Sequence, residues 1–123
     1  MNPNYENSLN NMGYTLILLE RYFDSIIYFD KAIAINPLNS YSLNNRGLAQ
    51  IKTGNLDKGF EDIMNSISIN VTNAYAYRNL GIYYIEKQQY KEALSQLNKS
   101  YEIDSATPNV NALIIEATEK AKE

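Results

Sequence analysis

The stretch ENSLNNMGYTLILLERYFDSIIYFDKAIAINPLN, residues 6–39, decides the fold because its pattern recurs twice more along the chain. Moving the sequence by 34 residues aligns this stretch without gaps with residues 40–73 and 74–107. A fixed period of this length predicts an array of repeated units, each a small group of packed helices or strands. Equivalent positions keep their size class, as in Gly13, Gly47 and Gly81, in Phe29, Ile63 and Leu97, and in Ile35, Ile69 and Ile103.

Each repeat contains two segments with the periodicity of an amphipathic helix. In the first repeat, a turn at Glu20-Arg21 separates the segments, and Asn36-Pro37 ends the second one because proline cannot continue a helix. Two helices per repeat are therefore predicted. The first is expected to bury Leu9, Met12, Gly13, Leu16 and Leu19, and the second Tyr22, Ile26, Phe29 and Ile33.

Small side chains recur where the two helices of a repeat must approach closely. A larger side chain there would force the helices apart, because packed protein interiors hold little spare volume. The predicted close pairs are Gly13 with Ser25, Gly47 with Gly59, and Gly81 with Ala93.

The last segment, residues 108–123, is predicted to be a helix that covers the end of the array. Thr107 carries a hydroxyl suited to an N-cap, and Pro108 suits the first helical position. The array must cover its last apolar face, and a helix that is polar on its outer side does so. The apolar side of this capping helix is expected to carry Val110, Leu113, Ile114 and Ala117.

The composition argues against most kinds of chemistry. With 11 Lys and Arg against 14 Asp and Glu, the net charge is −3, and nucleic-acid binding is not expected because it needs clustered cations. The chain has no Cys and no His, the usual sources of nucleophiles, general bases and transition-metal ligands. We therefore expect no enzymatic activity, no metal and no other cofactor.

The sequence also shows no sign of membrane insertion. Its first residues, MNPNYENS, lack the basic start and apolar run of a signal peptide. The longest apolar run in the first half, Leu16 to Leu19, is far shorter than a membrane span. We expect a cytoplasmic protein with a single domain over residues 1–123.

A repeat of 34 residues with these columns resembles the tetratricopeptide repeat. The resemblance covers about residues 5–107 and implies an all-α fold, a right-handed α-solenoid of antiparallel helix pairs with seven helices including the cap. It also implies that the first helices line a concave groove that binds a peptide or protein. The first repeat carries the signature at Leu9, Met12, Gly13, Leu16, Ser25, Phe29, Ala32 and Pro37, whereas the others depart from it at Arg46, Gln50, Val71 and Ser105.

The residues that face this groove follow from the helical period, since they lie about 100° round the first helix from its buried stripe. Asn11, Asn45 and Asn79 form one such column. An Asn amide has an acceptor and two donors, so it can pair with both the C=O and the N–H of an extended peptide. The column resembles the asparagine ladder of some superhelical tetratricopeptide grooves. The predicted peptide-binding residues are Asn11, Asn45, Asn79, Tyr14, Tyr41, Tyr75, Asn44 and Arg78.

Two other interpretations of the asparagine column remain open. Asn is common in this sequence, so the column could reflect composition alone, with solvated side chains. The amides could also form structural hydrogen bonds between adjacent helices. A further groove chemistry of the family, a clamp of Lys, Asn and Arg for a chaperone's C-terminal carboxylate, is not expected. Of its columns only Asn45 matches, while Asn10, Tyr14, Tyr75 and Asn79 depart from it.

The leading functional hypothesis is a non-catalytic module that binds an extended peptide or a partner helix in the groove. The alternative is structural self-assembly into homo-oligomers, because exposed apolar clusters often mark interfaces. The apolar residues predicted near the groove are Leu18, Leu48, Ile51, Ile82 and Ile85.

Overall fold

The computed structural model describes residues 3–123, with side chains from residue 5 onward, and these residues form seven helices and no strand. The expected all-α fold of seven helices is confirmed. The helices are α1 Pro3–Leu18, α2 Tyr22–Ile35, α3 Ser40–Lys52, α4 Leu56–Ile69, α5 Ala74–Glu86, α6 Tyr90–Ile103 and α7 Val110–Ala121.

The helix contacts divide the chain into two compact units, Met1–Asn70 and Val71–Glu123. In the first unit α1 pairs with α2, α3 pairs with α4, and α2 also packs against α3. In the second unit α5 pairs with α6, and α7 packs mainly against α6. Each predicted repeat thus forms one helix pair.

The turn inside each helix pair uses the same backbone conformation at equivalent positions. Glu20 and Gln88 have φ of 59°, and Gly54 has φ of 91°. A left-handed residue after a helix lets the chain reverse within a few residues, and glycine adopts it most easily. Only the second pair has glycine at this position, so the other two pairs hold a side chain in a strained conformation.

The close approach of paired helices is confirmed, although the residue nearest to the glycine differs between the pairs. A Cβ added to Gly47 would lie 2.9 Å from the Gly59 carbonyl oxygen, as the sequence predicts. A Cβ on Gly13 would instead meet the ring of Phe29, and one on Gly81 would meet Leu97. These glycines therefore make room for the large side chain four residues beyond the small one.

The buried stripe of α1 differs from the prediction. Met12 and Leu19 are 49% and 62% exposed, whereas Ile17, which the prediction omits, is buried together with Leu9. The contacts of α1 in the described part of the chain are with α2 and α3, so the stripe follows the spacing of Leu9, Gly13 and Ile17. The face that carries Met12 and Leu19 points away from both neighbours.

The predicted start of α7 is wrong by two residues. The helix begins at Val110, and Asn109 before it is left-handed with φ of 66°. The Thr107 hydroxyl donates to the Asp104 carbonyl at 2.7 Å instead of capping α7. Val110 and Ala117 are buried, as expected for the inner face of this helix.

Candidate functional site

The predicted groove residues of the first unit meet where α1 packs beside α3. Asn10 Oδ1 accepts a hydrogen bond from the Ser42 hydroxyl at 3.0 Å and another from the Asn45 side-chain amide at 3.2 Å. Asn44 and Asn45 are both buried. Asn10 therefore joins the two first helices of this unit, and the Asn45 amide takes part in that structural contact.

Other predicted residues of this unit are accessible to a ligand. Asn11 is exposed, Tyr14 is half-buried, and Tyr41 is 57% exposed on α3. The ring of Tyr41 borders a cavity of about 260 Å³ between the start of α1 and the start of α3. The cavity is also lined by Glu6, Asn7, Asn36, Leu38, Asn39 and Ser40. The Glu6 carboxylate accepts hydrogen bonds from the Asn36 and Asn39 amides, so an aromatic residue, a carboxylate and several amides converge at the start of α3.

The predicted residues of the second unit form a tight internal cluster on α5. Asn79 is fully buried, and its Oδ1 accepts hydrogen bonds from Arg78 Nε at 3.1 Å and Nη2 at 2.9 Å. Arg78 Nη1 donates to the Pro108 carbonyl at 3.2 Å. The guanidinium carbon also lies 4.8 Å from the centre of the Tyr75 ring, within cation–π range.

The three asparagines of the predicted column therefore occupy three different environments. Asn11 is exposed, Asn45 bonds to the neighbouring helix, and Asn79 is buried against Arg78. An amide oxygen already filled by a guanidinium offers less to a peptide than an exposed one. Asn45 thus fits the interpretation in which the amides form structural hydrogen bonds between adjacent helices.

A charged cluster that the sequence analysis missed lies between α2, α3 and α4. Arg46 binds Asp62 through two hydrogen bonds, Nε to Oδ2 at 2.7 Å and Nη2 to Oδ1 at 3.0 Å, and its Nη1 reaches Asp30 at 3.0 Å. Asp62 is buried. The signal was Arg46 itself, a cation in a column where the other repeats have Met12 and Leu80.

The same three side chains border a larger cavity of about 520 Å³, whose walls also include Phe23, Gln50, Thr53 and Glu61. The hydrogen bond to Asp62 raises the pKa of the Arg46 guanidinium above its ordinary value, with a further contribution from the negative charges of Asp62 and Asp30. Arg46 thus stays charged between two acidic side chains.

Two of the apolar residues expected near the groove are not available for self-assembly. Leu48 and Ile51 are buried in the first unit, whereas Leu18 is exposed and Ile82 and Ile85 are half-buried. None of the helices over residues 3–123 has both the length and the apolar character needed to cross a membrane.

Family models match most of the chain. Models of the tetratricopeptide repeat match residues 6–37, 28–61 and 74–107. No curated protein matches the chain by sequence.

Solved structures with the same fold include three that are informative. The Sgt2 TPR domain from Aspergillus fumigatus has a TM-score of 0.84 at 22% identity, with 99% of this chain and 82% of that chain covered. The first TPR of Spaghetti (RPAP3), bound to the HSP90 peptide SRMEEVD, has a TM-score of 0.81 at 15% identity, covering 100% and 98%. The Yersinia enterocolitica type III secretion chaperone SycD, in complex with a peptide of the translocator YopD, has a TM-score of 0.75 at 13% identity, with 98% of this chain and 97% of that chain covered.

Proposed function

Because the chain belongs to the tetratricopeptide repeat family, whose domains are protein-interaction modules, we propose that it is a non-catalytic module that binds an extended peptide or a partner helix. The proposed site consists of the eight residues predicted from the sequence. They divide into exposed residues that touch the ligand and buried residues that position them. Cytoplasmic location remains a prediction.

The observation that carries this proposal is the accessible surface at the start of α3. Tyr41 is exposed on α3, and Asn11 is exposed on the neighbouring helix α1. A tyrosine ring supplies a large contact area with few rotatable bonds, so little entropy is lost on binding. An exposed Asn supplies both a donor and an acceptor for a peptide backbone. Tyr14 and Tyr75, both half-buried, are proposed as further ring contacts.

The buried asparagines are proposed to act through their neighbours. Asn45 bonds to Asn10 and so fixes the spacing of α1 and α3, on which Asn11 and Tyr41 stand. Asn79 orients the Arg78 guanidinium, which in turn lies against Tyr75. Asn44, buried beside Asn45, belongs to the same structural group.

Similar folds support a peptide ligand as the kind of partner. RPAP3 binds the HSP90 peptide SRMEEVD, and SycD binds a peptide of YopD. Both share the fold of this chain at low identity, so the ligand of neither carries over by itself. The clamp needs Lys and Asn in the first repeat, where this chain has Asn10 and Tyr14, and Lys and Arg in the third, where it has Tyr75 and Asn79. We therefore expect SRMEEVD to bind poorly.

The proposal can be tested by selecting peptides from a random displayed library on the immobilised chain. The selected peptides are then titrated against the wild type and the double variant Asn11→Ala/Tyr41→Ala. We expect the double variant to lose at least about tenfold in affinity, roughly 1.4 kcal/mol. The synthetic peptide SRMEEVD serves as the negative ligand.

The matched control is Asn98→Ala/Tyr101→Ala, which removes an exposed Asn and an exposed Tyr from α6. This control should bind the selected peptides like the wild type. If no peptide is selected, or if both double variants bind equally well, the proposed site is wrong.

A further inference from the structure

The cavity at the start of α3 contains one charged side chain. Of the described residues that line it, only Glu6 is charged, whereas the others are amides, a hydroxyl, Leu38 and the ring of Tyr41. The ion pairs formed within residues 5–123 do not include Glu6. A cleft lined by charge of a single sign raises the local concentration of ligands of the opposite sign. This cavity therefore favours a cation.

The hydrogen bonds of Glu6 orient its carboxylate without neutralising it. Oε1 accepts from the side-chain amide of Asn36 at 3.0 Å and from that of Asn39 at 2.6 Å. Both donors are uncharged, and a carboxylate accepts through two oxygens. Among the described residues, hydrogen bonds to the Glu6 side chain reach only Oε1. The other oxygen, Oε2, is therefore left to accept from the cationic group of a ligand.

The Tyr41 ring at this cavity is suited to the same kind of ligand. Its equivalent in the third repeat is Tyr75, and there the guanidinium carbon of Arg78 lies 4.8 Å from the centre of the ring. The second repeat has Asn44 at the position of Arg78, and Asn44 is buried. The chain thus provides a cation for the ring of Tyr75 but none at the equivalent position beside Tyr41, which is 57% exposed. An aromatic face attracts a cation, so a ligand cation can take this place.

The size of the cavity fits one side chain of a longer ligand. Its volume is about 260 Å³, which is below the roughly 300–1,000 Å³ of pockets that enclose a whole small molecule. Leu38 and Tyr41, which line the cavity, are both exposed and give it an apolar part. Lys and Arg side chains place their methylene stems on apolar surface while their charged ends stay with polar groups. A long cationic side chain therefore matches both the apolar and the acidic parts of the wall.

We propose that the peptide bound by this chain places a Lys or Arg side chain in the cavity at the start of α3. The cationic group pairs with the Glu6 carboxylate, and the stem lies against the Tyr41 ring. This inference rests on the proposed function and adds the charge that the peptide carries at one position. A peptide with an acidic side chain at that position is rejected, because like charges would then face each other.

The peptides selected from the random displayed library provide the test. They should share a Lys or Arg at one position, and replacing that residue with Gln should weaken binding to the wild type by about threefold to tenfold. Glu6→Gln removes the charge but keeps Oε1 as the shared acceptor of the Asn36 and Asn39 amides. This variant should weaken the selected peptide by the same factor. It should bind the Gln-substituted peptide as the wild type does, because the two changes remove the same interaction.

The matched control is Glu102→Gln, which removes the same charge from an exposed position of α6 and should bind like the wild type. The inference is overturned if the selected peptides share no Lys or Arg, or if Glu6→Gln and Glu102→Gln bind them equally well. It is also overturned if Glu6→Gln weakens the original and the Gln-substituted peptide alike, since Glu6 would then act only on the fold. In these cases the proposed function still stands when Asn11→Ala/Tyr41→Ala loses affinity, whereas a failure to select any peptide overturns both.

Discussion

Asp62 holds Arg46 by two hydrogen bonds, with Nε to Oδ2 at 2.7 Å and Nη2 to Oδ1 at 3.0 Å. Asp62 comes from α4 and Arg46 from α3, and both side chains are largely shielded from water. Such a bidentate pair is geometrically favourable, but two charges had to lose hydration to form it. Removing one partner of the ion pair therefore destabilises the fold more than replacing both partners with uncharged residues.

We expect Asp62→Ala to lower the free energy of unfolding by about 1–3 kcal/mol, because Arg46 is left with one exposed partner, Asp30. The double variant Arg46→Leu/Asp62→Gln, which copies the third repeat at Leu80 and Gln96, should recover most of that loss. Urea unfolding followed by circular dichroism measures both values.

The exposed ion pair of Arg21 and Asp24, also at 2.7 Å, is the matched control. Asp24→Ala should change the free energy of unfolding by less than about 0.5 kcal/mol, because exposed pairs contribute little. Equal losses for Asp62→Ala and Asp24→Ala would contradict the structural role of Arg46.

The left-handed turn residues give a second prediction. Gln88→Gly should stabilise the chain by about 0.5–1 kcal/mol, because glycine adopts the φ of 59° at this position without strain. Gly54→Ala, at φ of 91°, should destabilise it by a similar amount. Thermal melting of both variants shows the two shifts, which must be opposite in sign if the turn conformation is as described.

The period of the sequence predicts the fold because packing imposes it. Phe29, Ile63 and Leu97 are each buried and equivalent, and α2, α4 and α6 each end at an equivalent isoleucine. A column that must fill the same space in every repeat keeps its size, so the offset alone shows where the helices lie.

The site is less predictable than the fold. The helical period indicates which way a side chain points from its own helix, but it does not indicate which residues of other helices lie there. Asn11, Asn45 and Asn79 point to the same side of their own helices, yet their exposure depends on which neighbours lie there. The adjacent Asn10 and Arg78, rather than the period, determine how Asn45 and Asn79 are used. Those hydrogen bonds depend on side-chain conformations that the sequence pattern does not specify.

The same limit explains the error on α1. Met12 belongs to a column that is partly buried at Arg46 and buried at Leu80, so the pattern predicts burial. At Arg46 the shielding comes from α2 and α4, whose Asp30 and Asp62 bind the guanidinium, whereas α1 contacts only α2 and α3 in the described part of the chain. The residue types at equivalent positions indicate the burial that is usual for the repeat. The exposure of one side chain depends on the helices packed around it.

The crossing of α3 and α4 gives a third prediction. A Cβ on Gly59 would lie 2.7 Å from the Gly47 carbonyl oxygen and 3.2 Å from the Ile51 backbone nitrogen. Backbone atoms cannot rotate away as a side chain can, so Gly59→Ala should cost about 1–3 kcal/mol. The third pair has Ala93 at this position, and Ala93→Gly should cost less, about 1 kcal/mol, through helix propensity. Comparable melting temperatures for Gly59→Ala and the wild type would show that the helices separate freely.

The last prediction separates the asparagines of the predicted column by their environment. Asn11 is exposed, so Asn11→Ala should leave the free energy of unfolding within about 0.5 kcal/mol of the wild type. Asn79 is fully buried and accepts from Arg78 Nε and Nη2, so Asn79→Ala removes the acceptor of a buried cation and should cost about 1–3 kcal/mol. Urea unfolding of the two single variants measures the difference. If Asn79→Ala is as stable as Asn11→Ala, the Arg78 contact contributes nothing to the stability of the fold. If the expected loss is found, a binding defect in any variant that includes Asn79→Ala must be measured below its unfolding range before it is attributed to the ligand.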